Sequence, residues 1–233
     1  MKRTGTLCLG LALVLSAATM SRAQSAQAAA GSDVYHVQFA KAVPGEAAAL
    51  AKALATPDPQ APMPGHVIVL RHQQGDDWDF CVIEHLGSKA TVDGKPAPAN
   101  PARPFTAWHT DTFVSGPAWD EFARAMGLTG DKGTSVYSVA VWRAAANQRE
   151  QLAQLLTQAD AGAKVPVSRV MLQHLEGGPW TYLAIDRFNS WQDFAASQAA
   201  SAATSGSGQD GWSEIRKYAT YHHDTLADRI APK

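Results

Sequence analysis

Eight short apolar segments, separated by polar, glycine-rich or proline-rich stretches, predict strands along the chain. In the first of them, Tyr35, Val37 and Phe39 alternate with more polar neighbours, as in a half-buried strand. The predicted strands are 34–39, 67–73, 78–86, 105–114, 136–142, 167–175, 180–188 and 218–226. Tight turns at Gly75 and Gly177 join neighbouring strands into hairpins. The pattern therefore predicts a fold that is rich in antiparallel sheet.

Helical spacing of apolar residues appears between some of these strands. Leu50 and Leu54 lie on one face of a predicted helix that begins after Pro44 and ends at the proline-rich stretch 56–65. A short helix is expected after Pro117.

The second part of the chain has clearer helix starts. Asn147, followed three residues later by Glu150, predicts a capping box for a helix that extends to about residue 158. Ser190 is expected to cap a helix that extends to about residue 203. Residues 87–104, rich in proline and glycine, are expected to form a loop where the later part of the chain has this helix.

The chain repeats itself at a constant spacing. Val34 recurs as Val136, and the correspondence continues without a gap as far as Ser88. A second block, 108–112, returns as 221–225. A period near 100 residues predicts two fused copies of one supersecondary unit, since solenoid repeats run to roughly 20–50 residues.

Each copy has the order strand, helix, strand, strand, helix or loop, strand, which is the ferredoxin-like order. Pairing two such units would bury the uncovered face of each sheet. With the Pro-Gly helix start, the Trp78 and Trp180 hairpins and the helix entry at 189–194, the sequence resembles the dimeric α/β-barrel superfamily. The resemblance implies an α+β fold, in which two tandem ferredoxin-like units pack as an intramolecular dimeric α/β barrel. The expected boundaries are 34–114 for the first unit, 115–134 for a linker helix and loop, and 135–230 for the second unit.

The N-terminus has the features of a secretory signal peptide. Lys2 and Arg3 precede an apolar run, and small residues follow near Ala23. The run is too short to span a bilayer. We therefore expect a signal peptide at 1–23, cleaved between Ala23 and Ala28, and a disordered leader at 24–33. The mature protein is expected to be periplasmic or secreted, with no membrane span.

Charge and cysteine count limit the possible partners and cross-links. Removing the three basic residues of the signal peptide changes the balance from 20 basic and 21 acidic residues to 17 and 21, a net charge of −4. An acidic chain without basic clusters argues against nucleic acid as a partner. Only Cys81 remains after processing, so no intramolecular disulfide can form. No cofactor or metal is required for folding.

Histidines provide the candidate chemistry. His109 with Asp111, and His222 with Asp224, lie two residues apart in the last strand of each copy. Positions two apart in a strand face the same side at a spacing of roughly 6.5–7 Å, so each pair is expected to project together. A carboxylate beside an imidazole fixes its tautomer and raises its basicity, which suits a general base or a metal ligand. These four residues are the predicted catalytic groups.

Further histidines and tryptophans are candidate ligand-binding residues. Some recur between the copies, whereas His36 corresponds to Ser138 and Trp108 precedes the histidine of the first pair. The candidates are His36, His72, Trp78, Trp108, His174 and Trp180. The alternative for the repeated residues is a packed polar network, or copies that have diverged little. His66, His85 and His223 have no repeated partner and are expected at the surface.

No phosphate-binding glycine loop, HExxH, CxxC or Gly-x-Ser-x-Gly motif is present, which argues against nucleotide-dependent, zincin and α/β-hydrolase activities. The superfamily that the chain resembles includes cofactor-independent monooxygenases, haem-binding enzymes, cyclases and isomerases, and stress-related proteins. The resemblance implies binding, with or without turnover, of a small apolar or aromatic molecule. A non-catalytic envelope scaffold and haem or metal binding through the repeated histidines are the alternatives. A monomer is expected, with the more open site in the first copy.

Overall fold

The strands form most of the molecule. The computed structural model describes residues 33–88, 100–129, 133–157, 167–204 and 211–232. Its strands are β1 (Asp33–Ala42), β2 (Val67–Gln74), β3 (Phe80–Gly87), β4 (Thr106–Gly116), β5 (Val136–Ala144), β6 (Ser168–Glu176), β7 (Tyr182–Phe188) and β8 (Ala219–Ala231). Each predicted strand is therefore present, and the predicted antiparallel sheet is confirmed.

The eight strands close into one barrel in the order β1, β3, β2, β8, β5, β7, β6, β4. The first half contributes β4, β1, β3 and β2, and the second contributes β8, β5, β7 and β6 in the equivalent order. Two seams join the halves. At one seam Arg71 of β2 pairs with Asp228 of β8, and at the other Val114 of β4 pairs with His174 of β6. Closure gives each of these eight described strands a neighbour on both sides.

The barrel has two different ends. All neighbouring strands are antiparallel, so β1, β2, β5 and β6 run in one direction. The hairpins at Gly75 and Gly177 turn at one end, which we call the hairpin end. Helix α2 (Trp119–Ala125) lies at the opposite end, which we call the helix end, where the Phe122 ring packs 4.8 Å from that of Tyr35.

Strand alternation gives the barrel an apolar interior and a partly covered outer face. Tyr35 and Val37 of β1 point inward and are fully buried, as is Tyr137 of β5. On the outer face, α1 (Ala47–Ala55) buries Leu50, and α3 (Arg149–Thr157) buries Leu152. The other helices among the described residues are a 3-10 turn (Arg103–Phe105), α4 (Trp191–Thr204) and α5 (Gly211–Ile215).

The two predicted helix caps have different outcomes. Ser190 caps α4 as predicted, because its hydroxyl oxygen accepts the Asp193 backbone N–H at 3.1 Å. The capping box at Asn147 is wrong, since Asn147 has a left-handed φ of 62° and the helical bonding starts at Gln148. Gly45 occupies the corresponding place in the first half with a φ of 88°. Glycine and asparagine are the residues that most readily adopt this conformation.

Several predicted boundaries fall outside the described residues or shift slightly. The predicted signal peptide, the leader up to residue 32 and the central part of the 87–104 loop lie outside them. Asp33, assigned to the leader, begins β1, and Gly116, assigned to the linker, ends β4. Within the described residues, no helix is both long and apolar enough to cross a membrane.

Glycine is required where the hairpins meet the barrel wall. Gly177 has a φ of 108°, and a Cβ there would overlap the Asp111 carbonyl oxygen and lie 2.9 Å from the Thr112 Cα. Gly75 has a φ of 126° and lies in the same way against Asp224, where a Cβ would be 2.6 Å from the carbonyl oxygen. Each hairpin therefore packs against the strand that carries a candidate carboxylate of the opposite half.

Candidate functional site

Asp111 joins two histidines on the outer face of β1 and β4. Its Oδ1 lies 2.9 Å from Nε2 of His36, and its Oδ2 lies 3.1 Å from Nε2 of His109. The Gln38 amide also donates to Oδ1, at 3.3 Å. The register explains the arrangement, because Gln38 pairs with Asp111 across the two strands. The structure thus brings the predicted residues His36, His109 and Asp111 into one cluster.

Two carboxylates surround His36. Glu84 of β3 lies 3.9 Å from its Nδ1, on the side opposite Asp111. Burial lowers the pKa of His36, but hydrogen bonds and charge interactions with Asp111 and Glu84 outweigh burial and raise it to about 9. The same hydrogen bond from His36, partly opposed by burial, lowers the pKa of Asp111. At neutral pH, His36 is therefore a cation and Asp111 an anion.

This charge state separates the roles of the two imidazoles. His36 already carries both of its ring protons and donates toward the carboxylates, so it cannot accept another proton. His109 is bound through the second oxygen of Asp111, and its side chain is 40% exposed. Of the two histidines in this cluster, His109 is therefore the more accessible to a ligand.

An apolar surface borders the cluster. The ring of Phe113, itself 37% exposed, lies 5.3 Å from the ring of His36. Leu175 of the neighbouring strand β6 is 50% exposed and alternates onto the same outer face. Sequence reasoning missed Phe113, Glu84 and Gln38, although Phe113 follows His109 and Asp111 at the same two-residue spacing.

The corresponding site in the second half is simpler. Nε2 of His222 lies 2.7 Å from Oδ1 of Asp224, so this predicted pair is also in contact. The His222 ring stacks on Trp142 with centroids 3.5 Å apart. Ser138 stands where the first half has His36. The second half therefore has one imidazole on its carboxylate, whereas the first half has two.

The predicted ligand-binding histidines of β2 and β6 lie on the inner face. His72 lies beside Trp78, and His174 beside Trp180, with ring centroids 5.6 and 5.9 Å apart. Nε2 of each histidine is buried and has no hydrogen-bond partner among the described residues. These two pairs occupy opposite walls at the hairpin end, so they do not join the outer-face clusters.

Trp108 does not form the floor of a pocket with His109. It is 37% exposed, and strand alternation turns it toward the face opposite His109.

The three histidines expected at the surface are buried to different degrees. His85 is only 3% exposed, and His66 is partly buried and hydrogen-bonded to it. His223 has a buried Nε2 whose nearest carboxylate, Asp76, is 3.7 Å away. The surface prediction is wrong for His85, because it follows the inward residues Cys81 and Ile83 at two-residue spacing.

A groove of about 520 Å³ lies apart from these histidines. It runs between the β2–β8 seam and the start of α4, where Arg71 and Asp228 form an ion pair beside Trp191. Among the described residues, no three His, Cys, Asp or Glu side chains are grouped to hold a metal.

Comparison with known proteins supports the fold. No family model and no curated protein matches the chain. One similar solved structure is that of a candidate monooxygenase from Lactobacillus acidophilus NCFM, at a TM-score of 0.52 and 9% identity, covering 85% of this chain and 94% of that one. Another is an anthrone oxidase-like protein, at a TM-score of 0.58 and 10% identity, covering 86% of this chain and 92% of that one.

This chain has the dimeric α/β-barrel fold. The similarity covers the barrel as a whole, in agreement with the α+β class expected from the sequence. At 9 and 10% identity it establishes the fold alone, so the chemistry has to be argued from the residues of this chain.

Proposed function

We propose that this protein binds a small apolar or aromatic molecule on the outer face of β1 and β4 and exchanges a proton with it through His109. The observation that carries the proposal is the placement of Asp111 between His109 and His36, at 3.1 and 2.9 Å. Phe113 provides an apolar contact surface beside the imidazoles. A binding site needs this combination of apolar surface and a few fixed polar groups.

The charges of the cluster place the imidazole of His109 beside a net negative charge. His36 contributes one positive charge, and Asp111 and Glu84 contribute two negative charges, so the cluster is negative before His109 gains a proton. A proton on His109 neutralises this excess and strengthens its bond to Asp111. A weakly acidic O–H of a phenol or enol is the proton donor that fits such a base.

The description of one structural neighbour as anthrone oxidase-like provides a class of aromatic ligand to test. An anthrone is a polycyclic aromatic ketone whose enol carries an acidic O–H group. Removal of that proton is the step that the residues of this cluster can perform.

We expect anthrones or polycyclic phenols to raise the melting temperature of the wild-type protein, because a ligand that binds only the folded state stabilises it by mass action. At a ligand concentration 100 times Kd the gain is about 2.7 kcal/mol. His36→Ala and His109→Ala should reduce affinity at least about tenfold, the loss expected when a charge-assisted hydrogen bond is removed. His222→Ala is the matched control in the second half and should bind normally.

An equal loss of ligand affinity in His109→Ala and His222→Ala, or a loss of affinity confined to His222→Ala, would contradict a site in the first half. If neither anthrones nor polycyclic phenols raise the melting temperature, the alternative of a non-catalytic scaffold is favoured.

Haem or metal binding through His72 or His174 is a second candidate, favoured by their buried Nε2 atoms, which have no hydrogen-bond partner in the described part of the chain. A haem titration tests it directly. A Soret shift that disappears in His72→Ala or His174→Ala would support it, and a featureless titration would exclude haem.

We further propose that the protein is an exported monomer whose two halves arose by duplication. The two seams, β2–β8 and β4–β6, let each half complete the other within one chain. Light scattering should give the mass of one chain, and an obligate dimer would contradict the prediction.

Export has a separate test. Mass spectrometry of protein secreted from its native host should find the N-terminus between residues 24 and 29.

A further inference from the structure

A chain of hydrogen bonds runs through three side chains at the helix end of the barrel, on the inner face. Oδ2 of Asp33 lies 2.9 Å from Nε2 of His85. Nδ1 of His85 lies 3.0 Å from Nδ1 of His66. The order is therefore Asp33, His85, His66, with His85 buried in the middle.

Hydrogen-bonding rules fix the proton positions in this chain. Burial, the largest effect, lowers the pKa of His85 despite the opposing effect of Asp33, so His85 is neutral at neutral pH. An ionised carboxylate only accepts, so Nε2 of His85 must carry the proton, and its Nδ1 must be an acceptor. His66 then donates from Nδ1. In the neutral form of His66, the lone pair is then on Nε2.

A stacked indole supports the two imidazoles. The rings of His66 and His85 lie within 8° and 11° of parallel to Trp119, with centroids 4.3 and 5.3 Å away. The Trp119 backbone N–H donates to the same Oδ2 of Asp33, at 3.0 Å. Strand β1, strand β3 and helix α2 therefore hold the chain in one orientation.

This arrangement can take up one proton without rearranging. A proton added at Nε2 of His66 leaves its Nδ1–H bond to His85 intact, and the bond from His85 to Asp33 also remains. The positive charge on His66 would lie over the face of Trp119, a favourable cation–π position. It would also be stabilised by Asp33 through the polarised hydrogen bonds.

The second half has no such chain at the corresponding positions. Ser135, Arg187 and Ser168 stand where the first half has Asp33, His85 and His66. The Arg187 guanidinium donates to both serine hydroxyls, at 3.3 and 3.4 Å. A permanently charged guanidinium fills a structural role there but cannot relay a proton.

We propose that Asp33, His85 and His66 form a second acid–base site, in which Nε2 of His66 accepts a proton from the O–H group of a small neutral ligand or of water. The N–H bond forms as the O–H bond breaks, and the oxygen keeps the electron pair. His66 is the residue that contacts the ligand. His85 and Asp33 are positioning residues that fix its tautomer and stabilise its charged form.

Nitrogen NMR of the full mature chain tests the proton positions. At neutral pH, His66 should show the Nδ1–H tautomer and His85 the Nε2–H tautomer. A His66 ring protonated at Nε2 and not at Nδ1 would overturn the proposal.

A chemical probe tests reactivity. Diethyl pyrocarbonate, which acylates unprotonated imidazole nitrogen, should modify Nε2 of His66, with the site identified by mass spectrometry. Asp33→Asn keeps the shape of the side chain but removes its charge, and should slow this modification at least about tenfold. Ser168→Ala, at the position that corresponds to His66, should leave the rate unchanged.

Hydrolysis of p-nitrophenyl acetate supplies the second readout, since His66 would take the proton of the attacking water. It is measured in a His109→Ala background, because the exposed imidazole of His109 would otherwise contribute to the rate. In that background His66→Gln should lower the rate at least about tenfold, and Asp33→Asn should lower kcat with little change in KM. An unchanged modification rate in a folded Asp33→Asn variant, or an unchanged esterase rate on adding His66→Gln, would overturn the proposal.

Discussion

Replacing Gly177 with alanine is expected to lower the free energy of unfolding by about 4 kcal/mol. Two costs add. Alanine is strained at a φ of 108°, and its Cβ would overlap the backbone of Asp111 and Thr112 in β4. These are backbone atoms of a barrel strand, so they cannot move aside as a flexible side chain would. Urea denaturation of the two proteins measures the difference.

Gly45→Ala is the matched control. Gly45 also has a left-handed φ, of 88°, but no atom of the residues that the structure describes lies within 4 Å of the added Cβ. It should therefore show the backbone strain alone, about 1–2 kcal/mol. If Gly177→Ala is no more destabilising than Gly45→Ala, the result would contradict the close packing of the Gly177 hairpin on β4. The overlap also displaces Asp111, so Gly177→Ala should weaken ligand binding in the first half.

The stability of the protein is expected to fall by about 2 kcal/mol between pH 6.5 and pH 9 because of His36. Folding raises the pKa of His36 from 6.5 to about 9, through Asp111 and Glu84. The folded state thus binds a proton that the unfolded state releases in this range. The stabilisation is complete below pH 6.5 and is lost as the pH rises through 9. Partial exposure of the side chain, 22%, keeps the effect below the full value of the shift.

The comparison variant for this effect is His36→Gln, which can still donate to Asp111 but does not titrate. Subtracting its unfolding free energies from those of the wild type cancels the contributions of other titrating groups. The difference in unfolding free energy between the wild type and His36→Gln should shrink steadily with rising pH. A difference that stays constant from pH 6 to pH 9.5 would show that His36 is not held as a cation.

The sequence predicted the barrel well because its signals are local. Short apolar segments between turn residues marked the strands, and Ser190 marked the start of α4. The prediction for Asn147 was wrong because asparagine is favoured both at helix N-caps and at turn positions with a left-handed φ. The correspondence with Gly45 could have identified the turn, since glycine at that position points to a positive φ.

The candidate sites were less predictable because they depend on contacts between distant segments. The bond between His36 and Asp111 follows from the register of β1 against β4, and nothing within either segment fixes that register. The spacing of His109 and Asp111 places them together without this information. For His85, the two-residue spacing from Cys81 and Ile83 was a usable signal of an inward position, although its partners Asp33 and His66 were not predictable.

A barrel closed from two halves of one chain differs genetically from a barrel built by two identical subunits. In a symmetric dimer every substitution appears twice, so a charged or strained residue is tolerated only if both copies tolerate it. Here each position is encoded once. The first half can therefore carry His36 and His85, while the second carries Ser138 and Arg187 and retains the packing that closes the barrel. New chemistry can be gained in one half without doubling its cost in stability.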